Sequence, residues 1–397
     1  MTWSWLGHAH CSVFVIRGSA TLRGLVQAGT WSERVYVPLD HVLERGRLLH
    51  AKVSAIREGE VEVVTESGET ERLPCDFAVV ATGSTYKTIV GKIPSLTAGE
   101  GIAEMTRISE VIASANRIAI IGGGPVGVEL AGELREQYPE EKDITIIHSG
   151  GRLLSSKDNG EGDKIAEFAA KLQEKLDQRN IQVRLNQRAS IDTAGAQDSE
   201  EGGGDGKKDG VETIAPGVQV GSRTLEITGG DDLECDLVLV TAGAQPNTEA
   251  IRAGMPDTVG ENGRVRVNSH MQVVRESGDV VRGVYAAGDC CDAPGAKTAY
   301  QGGEQVPVLV DCITKEAIAR AEGRALDASS LPEFTPFEGP AMVVPIGSTG
   351  GQSLFPNGMM PGGWVTGKLK GKDLLAPKFW GEANASKQYP QPRVTSS

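Results

Sequence analysis

The sequence is poor in the features that mark several large classes of protein. Its 397 residues hold six cysteines, Cys11, Cys75, Cys235, Cys290, Cys291 and Cys312, and none of them form a C-x-x-C pair. That spacing matches neither a zinc site nor a disulfide framework, and no metal centre is expected. Cys290 and Cys291 are adjacent and read most simply as a tight turn, because neighbouring cysteines rarely reach disulfide geometry without strain. Aromatic residues are scarce at 5%. No apolar run approaches the roughly 18 residues that a membrane helix needs. The start, MTWSWLGHAHCSVFV, lacks a basic stretch ahead of a long apolar core, so no secretory leader is expected. Thr2 stands where a myristoylation signal needs glycine. Positive charge is in deficit: the net charge of −13 argues against nonspecific nucleic-acid binding, which depends on Lys and Arg neutralising phosphates. A reducing, cytoplasmic setting is expected, with peripheral contact to mitochondrial or other membranes left open and the oligomeric state not indicated.

What is present is glycine, 51 residues of it, and a short sentence written twice. Residues 73–83 read LPCDFAVVATG and residues 233–243 read LECDLVLVTAG. Each is an acidic turn, an apolar run and a glycine end, the pattern of a buried parallel strand whose glycine lets the backbone approach a ligand. Two copies of one nucleotide-binding design are therefore expected. The second copy opens at Gly122 and closes at Gly243. A similar distance back from Gly83 falls before Met1, so the first copy is expected to lack its opening glycine loop.

Residues 47–83 read as a β-meander turning at Gly59 and Gly68, and residues 100–116 as a helix. In residues 161–180, Ile165, Phe168, Ala169, Leu172 and Leu176 recur at i, i+3, i+4, i+7 and i+11, a helical period. The segment 194–210 is a Gly- and acid-rich insert too polar to order itself. Residues 334–380 are rich in Gly and Pro and suggest a small C-terminal domain.

Gly122, Gly124 and Gly127 form G-x-G-x-x-G between the apolar strand at 118–121 and a helix opening at Pro125. In that context the first glycine permits the turn, the second admits a pyrophosphate and the third lets helix pack on strand. The helix N-terminus then offers free N–H groups and a positive dipole end. The next strand ends Ile147-His148-Ser149, with Arg152 close behind and no acid. An acid there would hold ribose hydroxyls and disfavour a 2′-phosphate. His148, Ser149 and Arg152 instead favour NADPH over NADH, unless Arg152 is only a surface residue. A further strand ends in VYAAGD, where Asp289 reads either as a turn cap or as a carboxylate for a polyol or ribose.

The order of these motifs resembles the flavoproteins with two dinucleotide-binding domains, most of all the apoptosis-inducing-factor-like group. The shared segments are ATLRGLV (20–26), VATGST (80–85), GGGPVGVELAGEL (122–134), IIHS (146–149), VYAAGD (284–289), AKTAY (296–300) and LKGKDLL (369–375). The resemblance implies an α/β fold with two Rossmann-like domains, the first N-terminally incomplete, and a small C-terminal α+β domain. The FAD-type domain would take 1–100 and 245–330, the NAD(P)H domain 101–244, the C-terminal domain 331–380 and a tail 381–397.

By the same resemblance FAD would lie against Thr82, Gly83, Gly288, Asp289, Thr298 and Ala299. NADPH or NADH would lie against Gly122, Gly124, Pro125, Gly127, Glu129, His148, Arg152 and Gly243. Glu129, Lys297 and Lys370 would serve catalysis, although Lys370 taken alone reads more simply as a solvated surface lysine. The group's opening FAD glycine loop has no counterpart here, and tight FAD binding is expected to be impaired. The absence of C-x-x-C and C-x4-C argues for an external, quinone-like electron acceptor rather than a disulfide. The implied activity is a flavin-dependent NAD(P)H oxidoreductase. The alternative is a non-catalytic NAD(P)H-binding signalling protein.

Overall fold

The computed structural model describes residues 4–6, 14–16, 18–39, 42–65, 67–86, 88, 90, 93, 97–155, 162–191, 207–208, 211–241, 243–336 and 341–385. Nearly all of the 194–210 insert, and the tail beyond 385, lie outside them. The chain forms two compact units: Met1–Cys11, Arg45–Thr85 and Ala244–Glu338 in one, and Ser12–Glu44, Tyr86–Gly243 and Gly339–Ser397 in the other.

The larger unit is built on a seven-stranded sheet. Its order is Ile181–Arg184, Asp143–Ile147, Arg117–Ile121, Leu233–Val240, Val218–Leu225, Val211–Ala215 and Lys207–Lys208. The first four strands run parallel, with Ile118 opposite both Ile144 and Leu237. The remaining pairs are antiparallel. The central strands are apolar on both faces, as a covered parallel sheet requires. Helix Asp163–Asp177 buries Ile165, Phe168, Ala169, Leu172 and Leu176, the five residues its periodicity singles out. Helix Ala98–Ser114 starts in a capping box formed by Thr97 and Glu100.

The smaller unit holds the expected meander, Ala51–Arg57, Glu60–Thr65 and Thr70–Pro74. Gly59 and Gly68 take positive φ at its turns. A three-stranded sheet follows in the order Gln272–Val274, Val280–Ala286, Ala78–Val80. Tyr285, Val284, Ile251 and Cys312 are among the residues of its core. Tyr285 donates to Glu316 at 2.5 Å, and Glu316 also pairs with Arg320, tying the strand to helix Ala299–Ala321.

The division departs from the expected one at residues 12–44, at residues 86–100, which fall in the nucleotide-loop unit, and at the C-terminal segment. Residues 12–44 belong with the nucleotide-loop unit, because helices Gly18–Val26 and Ala28–Val35 pack into its core through Leu22, Leu25 and Val35. The C-terminal segment joins the same unit. Its hairpin, Met342–Ile346 and Gly350–Leu354, lies so close to helix Pro125–Gln137 that a Cβ on Gly132 would sit 2.6 Å from Ile346 Cα.

Candidate functional site

The strand Arg117–Ile121 delivers the chain to Gly122, whose φ of +119° only glycine adopts easily. The Gly122 N–H donates to Ile147 O at 2.9 Å. Thr241, at the end of the second repeat strand, donates its hydroxyl to Ile121 O at 3.1 Å and Gly122 O at 3.0 Å. A Cβ on Gly127 would lie 1.9 Å from Gly122 O, so only glycine lets the helix pack this closely. Gly124 differs: a Cβ there would meet nothing within 4 Å. It is the N-cap of helix Pro125–Gln137, makes no side-chain cap and is followed by Pro125. The N-terminal N–H groups of such a helix lack intrahelical partners and carry the positive dipole end. An open glycine beside them fits the pyrophosphate of a nicotinamide nucleotide.

Three glutamates then follow along this helix at i, i+4 and i+7. Glu129 is buried and receives Lys370 Nζ at 2.7 Å, and the same ammonium reaches Val343 O at 3.4 Å. Lys370 is therefore not a solvated lysine; the π-helical turn Gly367–Gly371 brings it inward. That turn sits close to the hairpin because a Cβ on Gly367 or Gly371 would fall 2.7 or 2.6 Å from a backbone oxygen. Glu133 takes a bidentate pair from Arg23 at 2.6 and 2.8 Å, both side chains fully buried. Burial pushes the Glu133 carboxyl up, and the Arg23 guanidinium opposes the shift. Arg23 also donates to Gly371 O and Lys372 O and stacks 4.6 Å from Trp31. Glu136 accepts from Ser348 of the hairpin turn. Sequence reasoning missed Thr241, Arg23 and Glu133 as site residues, although Arg23 lies in ATLRGLV, Glu133 in GGGPVGVELAGEL, and Glu129 and Glu133 are spaced i, i+4.

His148 follows strand Asp143–Ile147, and its ring contacts the glycine loop from the protein side: Nδ1 accepts the Gly123 N–H at 3.2 Å. Burial lowers its pKa, partly opposed by a backbone contact with Arg152. Arg152 is half-buried, and its Nη1 has no hydrogen-bond partner among the described residues. Gly243 closes the repeat at φ +98°.

In the smaller unit, Gly83 (φ +65°) and Gly288 (φ +79°) end the parallel strands Ala78–Val80 and Val280–Ala286, and neither would meet a neighbour within 4 Å of an added Cβ. The space beside both strand ends thus admits a ligand. Ser84 donates to Asp289 Oδ2 at 2.9 Å. Thr82 is bound through Asn247, whose side chain donates to Thr82 O at 3.0 Å and whose carbonyl accepts the Thr82 hydroxyl. Gln305, buried, accepts the Gly288 N–H at 2.7 Å. Thr298 is the N-cap of helix Ala299–Ala321 and accepts from Gln301 N. Lys297 donates to Ala293 O at 2.5 Å. Ser84 lies within VATGST (80–85), whereas Asn247 and Gln305 carry no local motif that would have singled them out.

The sequence matches the profile of the family described as pyridine nucleotide-disulphide oxidoreductase over residues 39–311, more than half of the chain. The chain belongs to that family. Among its relatives, apoptosis-inducing factor homolog B of Dictyostelium discoideum is 26% identical over 361 residues, 89% of this chain and 85% of the relative. Ferroptosis suppressor protein 1 of Xenopus tropicalis is 24% identical over 365 residues, covering 91% and 85%. The solved NDH2 of Plasmodium falciparum superposes with a TM-score of 0.59 at 12% identity, covering 98% of this chain and 94% of that one. A ferredoxin reductase from Rhodopseudomonas palustris gives 0.53 at 17% identity, covering 85% and 72%. These likenesses carry the α/β dinucleotide-binding fold.

The family's name mentions a disulphide, but the thiols described in this oxidoreductase are all free. Cys290 and Cys291 are fully buried, and burial raises both thiols, Cys291 to about 11. Neither is poised as a thiolate. No helix among the described residues is long and apolar enough to cross a membrane.

Proposed function

We propose that the protein is a flavin-dependent NAD(P)H oxidoreductase that moves reducing equivalents from the nicotinamide through FAD to a quinone-like acceptor. The observation that carries this reading is the Lys370–Glu129 ion pair, one turn into the helix that opens at Gly124. A charged pair this well enclosed, next to an open phosphate cradle, marks a place where charge is to be positioned rather than solvated. Gly122, Gly124, Pro125 and the helix N-terminus would bind the nucleotide phosphates, and Gly127 keeps the helix close enough to offer its N–H groups. Glu129 would accept from the nicotinamide end, with Lys370 holding its carboxylate in place. In the other unit Thr82, Gly83, Gly288 and Asp289 surround open strand ends, and Ala299 begins a helix whose N-terminus favours negative charge. Those residues would hold FAD, which when bound supplies the two-electron relay between nicotinamide and acceptor. Lys297, bound to Ala293 O, would shape the turn before that helix.

The experiment is quinone-dependent NAD(P)H oxidation by the purified chain supplied with FAD, using a short-chain quinone. Glu129→Gln and Lys370→Met are each expected to lower the rate about 10- to 100-fold. Nucleotide binding with no turnover under any acceptor would sink the proposal in favour of a non-catalytic nucleotide sensor.

A further inference from the structure

Both ring nitrogens of His148 are engaged by protein. Nδ1 accepts from Gly123 N–H, and Nε2 lies 2.8 Å from the Ser155 hydroxyl. An accepting Nδ1 requires the neutral tautomer with its proton on Nε2, which then donates to Ser155. The ring also explains a glycine that the nucleotide motif does not ask for. Gly123 is an x position of G-x-G-x-x-G, yet a Cβ there would lie 2.9 Å from His148 Cγ, 3.0 Å from His148 Cβ and 2.8 Å from Leu153 Cδ2. Gly150 is constrained alike, 1.8 Å from Ser155 Oγ and 3.0 Å from His148 Nε2. On the other side of the Gly123 residue, its carbonyl accepts the Leu154 N–H at 2.9 Å. The segment from His148 to Ser155 thus grips both backbone groups of the residue between Gly122 and Gly124.

We infer that His148 is a positioning residue: in its neutral form it clamps Gly123, and so fixes the glycine loop that takes the nucleotide pyrophosphate, without touching NADH or NADPH. This rests on the reading of the loop as a nucleotide site. It differs from the expectation that His148 meets a 2′-phosphate, since the nitrogens that would do so already have partners. A loop held in its bound shape loses less freedom on binding and binds more tightly. Protonation would put an N–H on Nδ1 against the Gly123 N–H and open the clamp.

The charged groups of the segments around the ring are few. Arg152 lies on the same loop. Arg184 accepts the His148 N–H through its carbonyl at 2.9 Å and turns its guanidinium to Asp231 O. Glu129, on the helix beyond the loop, is paired with Lys370. Burial disfavours the imidazolium, and the Arg152 backbone partly offsets that effect. The folded pKa lies below the ordinary value of about 6.5, so the clamp holds at that pH and is lost only as pH falls further below it.

The test is calorimetric titration of the purified full chain with NADH and with NADPH, above and below that pH, for wild type, His148→Asn and His148→Ala. Asparagine offers Oδ1 where the ring offers Nδ1 and does not protonate. His148→Ala should weaken both nucleotides equally, about tenfold. His148→Asn should stay within about threefold of wild type and lose the acid-side weakening. Hydrogen exchange at the Gly123 amide of nucleotide-free protein should rise in His148→Ala and not in His148→Asn. Selective loss of NADPH in His148→Ala would overturn the inference and make His148 a direct 2′-phosphate contact. Unchanged Gly123 exchange in His148→Ala would overturn it too. If wild type binds neither nucleotide while Gly123 exchange still follows the variants as described, the nucleotide reading of the loop fails and the clamp remains.

Discussion

The two copies of the repeated sentence fold unequally. Residues 233–243 give the eight-residue strand Leu233–Val240, hydrogen-bonded on both sides and buried over most of its length. Residues 73–83 are split: Leu73 and Pro74 end the meander strand Thr70–Pro74, and the apolar run gives the short strand Ala78–Val80, bonded on one side to Val280–Ala286 among the described strands, with Val79 40% exposed. The apolar runs are nearly the same, so the difference lies in what surrounds them. Strand length and burial follow from neighbouring strands rather than from intrinsic preference. The second copy is enclosed by its own glycine loop, by Thr241 and by a helix whose glutamates collect Lys370, Arg23 and Ser348 from distant parts of the chain. Beside the first copy, Tyr285 to Glu316 to Arg320 joins the neighbouring strand to helix Ala299–Ala321.

Breaking those two ties tests whether the enclosure of the second copy matters to stability. Arg23→Ala leaves Glu133 without its partner in the interior and should cost about 3–5 kcal/mol in chemical denaturation. Tyr285→Phe leaves Glu316 its Arg320 partner and should cost about 1–2 kcal/mol. Equal losses would show that the extra segments do not set the second copy apart. The glycines give the next largest contrast. Gly127→Ala drives a Cβ into the Gly122 carbonyl, which is backbone and has nowhere to go, so about 3 kcal/mol and most NAD(P)H affinity should be lost. Gly83→Ala has open space, and the φ of +65° alone should cost about 1–2 kcal/mol. Denaturation midpoints of the two variants measured side by side decide it.

Local patterns carried the parts of the fold that local physics determines. The glycine loop, the helix with Leu172 at its centre and the meander turning at Gly59 and Gly68 are all legible from spacing. Helix Ala28–Val35 was not, because AGTWSERV has two β-branched residues, a serine and a glycine, and is fixed by Trp31 and Val35 packing rather than by propensity. The site divides along the same line. Gly124 announces itself, but Lys370 reaches Glu129 across 241 residues, and no spacing in the sequence encodes that meeting. His148 was legible as a strand-end residue. Which way its ring faces depends on Ser155 and on a Gly123 that lacks a side chain, both known only once the loop is folded.

The smallest contrast uses the one acid that the two copies share. Asp236 accepts the Arg117 N–H at 3.0 Å, the Arg117 guanidinium at 2.7 Å and the Ser222 hydroxyl at 2.9 Å. The Arg117 hydrogen bonds hold its carboxyl well below the ordinary carboxylate value. A depressed folded pKa means stability that is present above the ordinary value of about 3.9 and lost as pH falls below it. Asp236→Asn should therefore cost about 1 kcal/mol at neutral pH, reduced from a buried pair's worth because the carboxylate is partly solvated. The gap to wild type should narrow as pH falls below about 4. Asp76, its counterpart, is exposed, and what its residue contributes is a backbone carbonyl that accepts Arg320 at 3.0 Å. Asp76→Asn keeps that bond and should stay within about 0.5 kcal/mol of wild type. A comparable loss in both variants would mean that the acidic turn does the same work in each copy, and that the unequal strands arise from the apolar run after all.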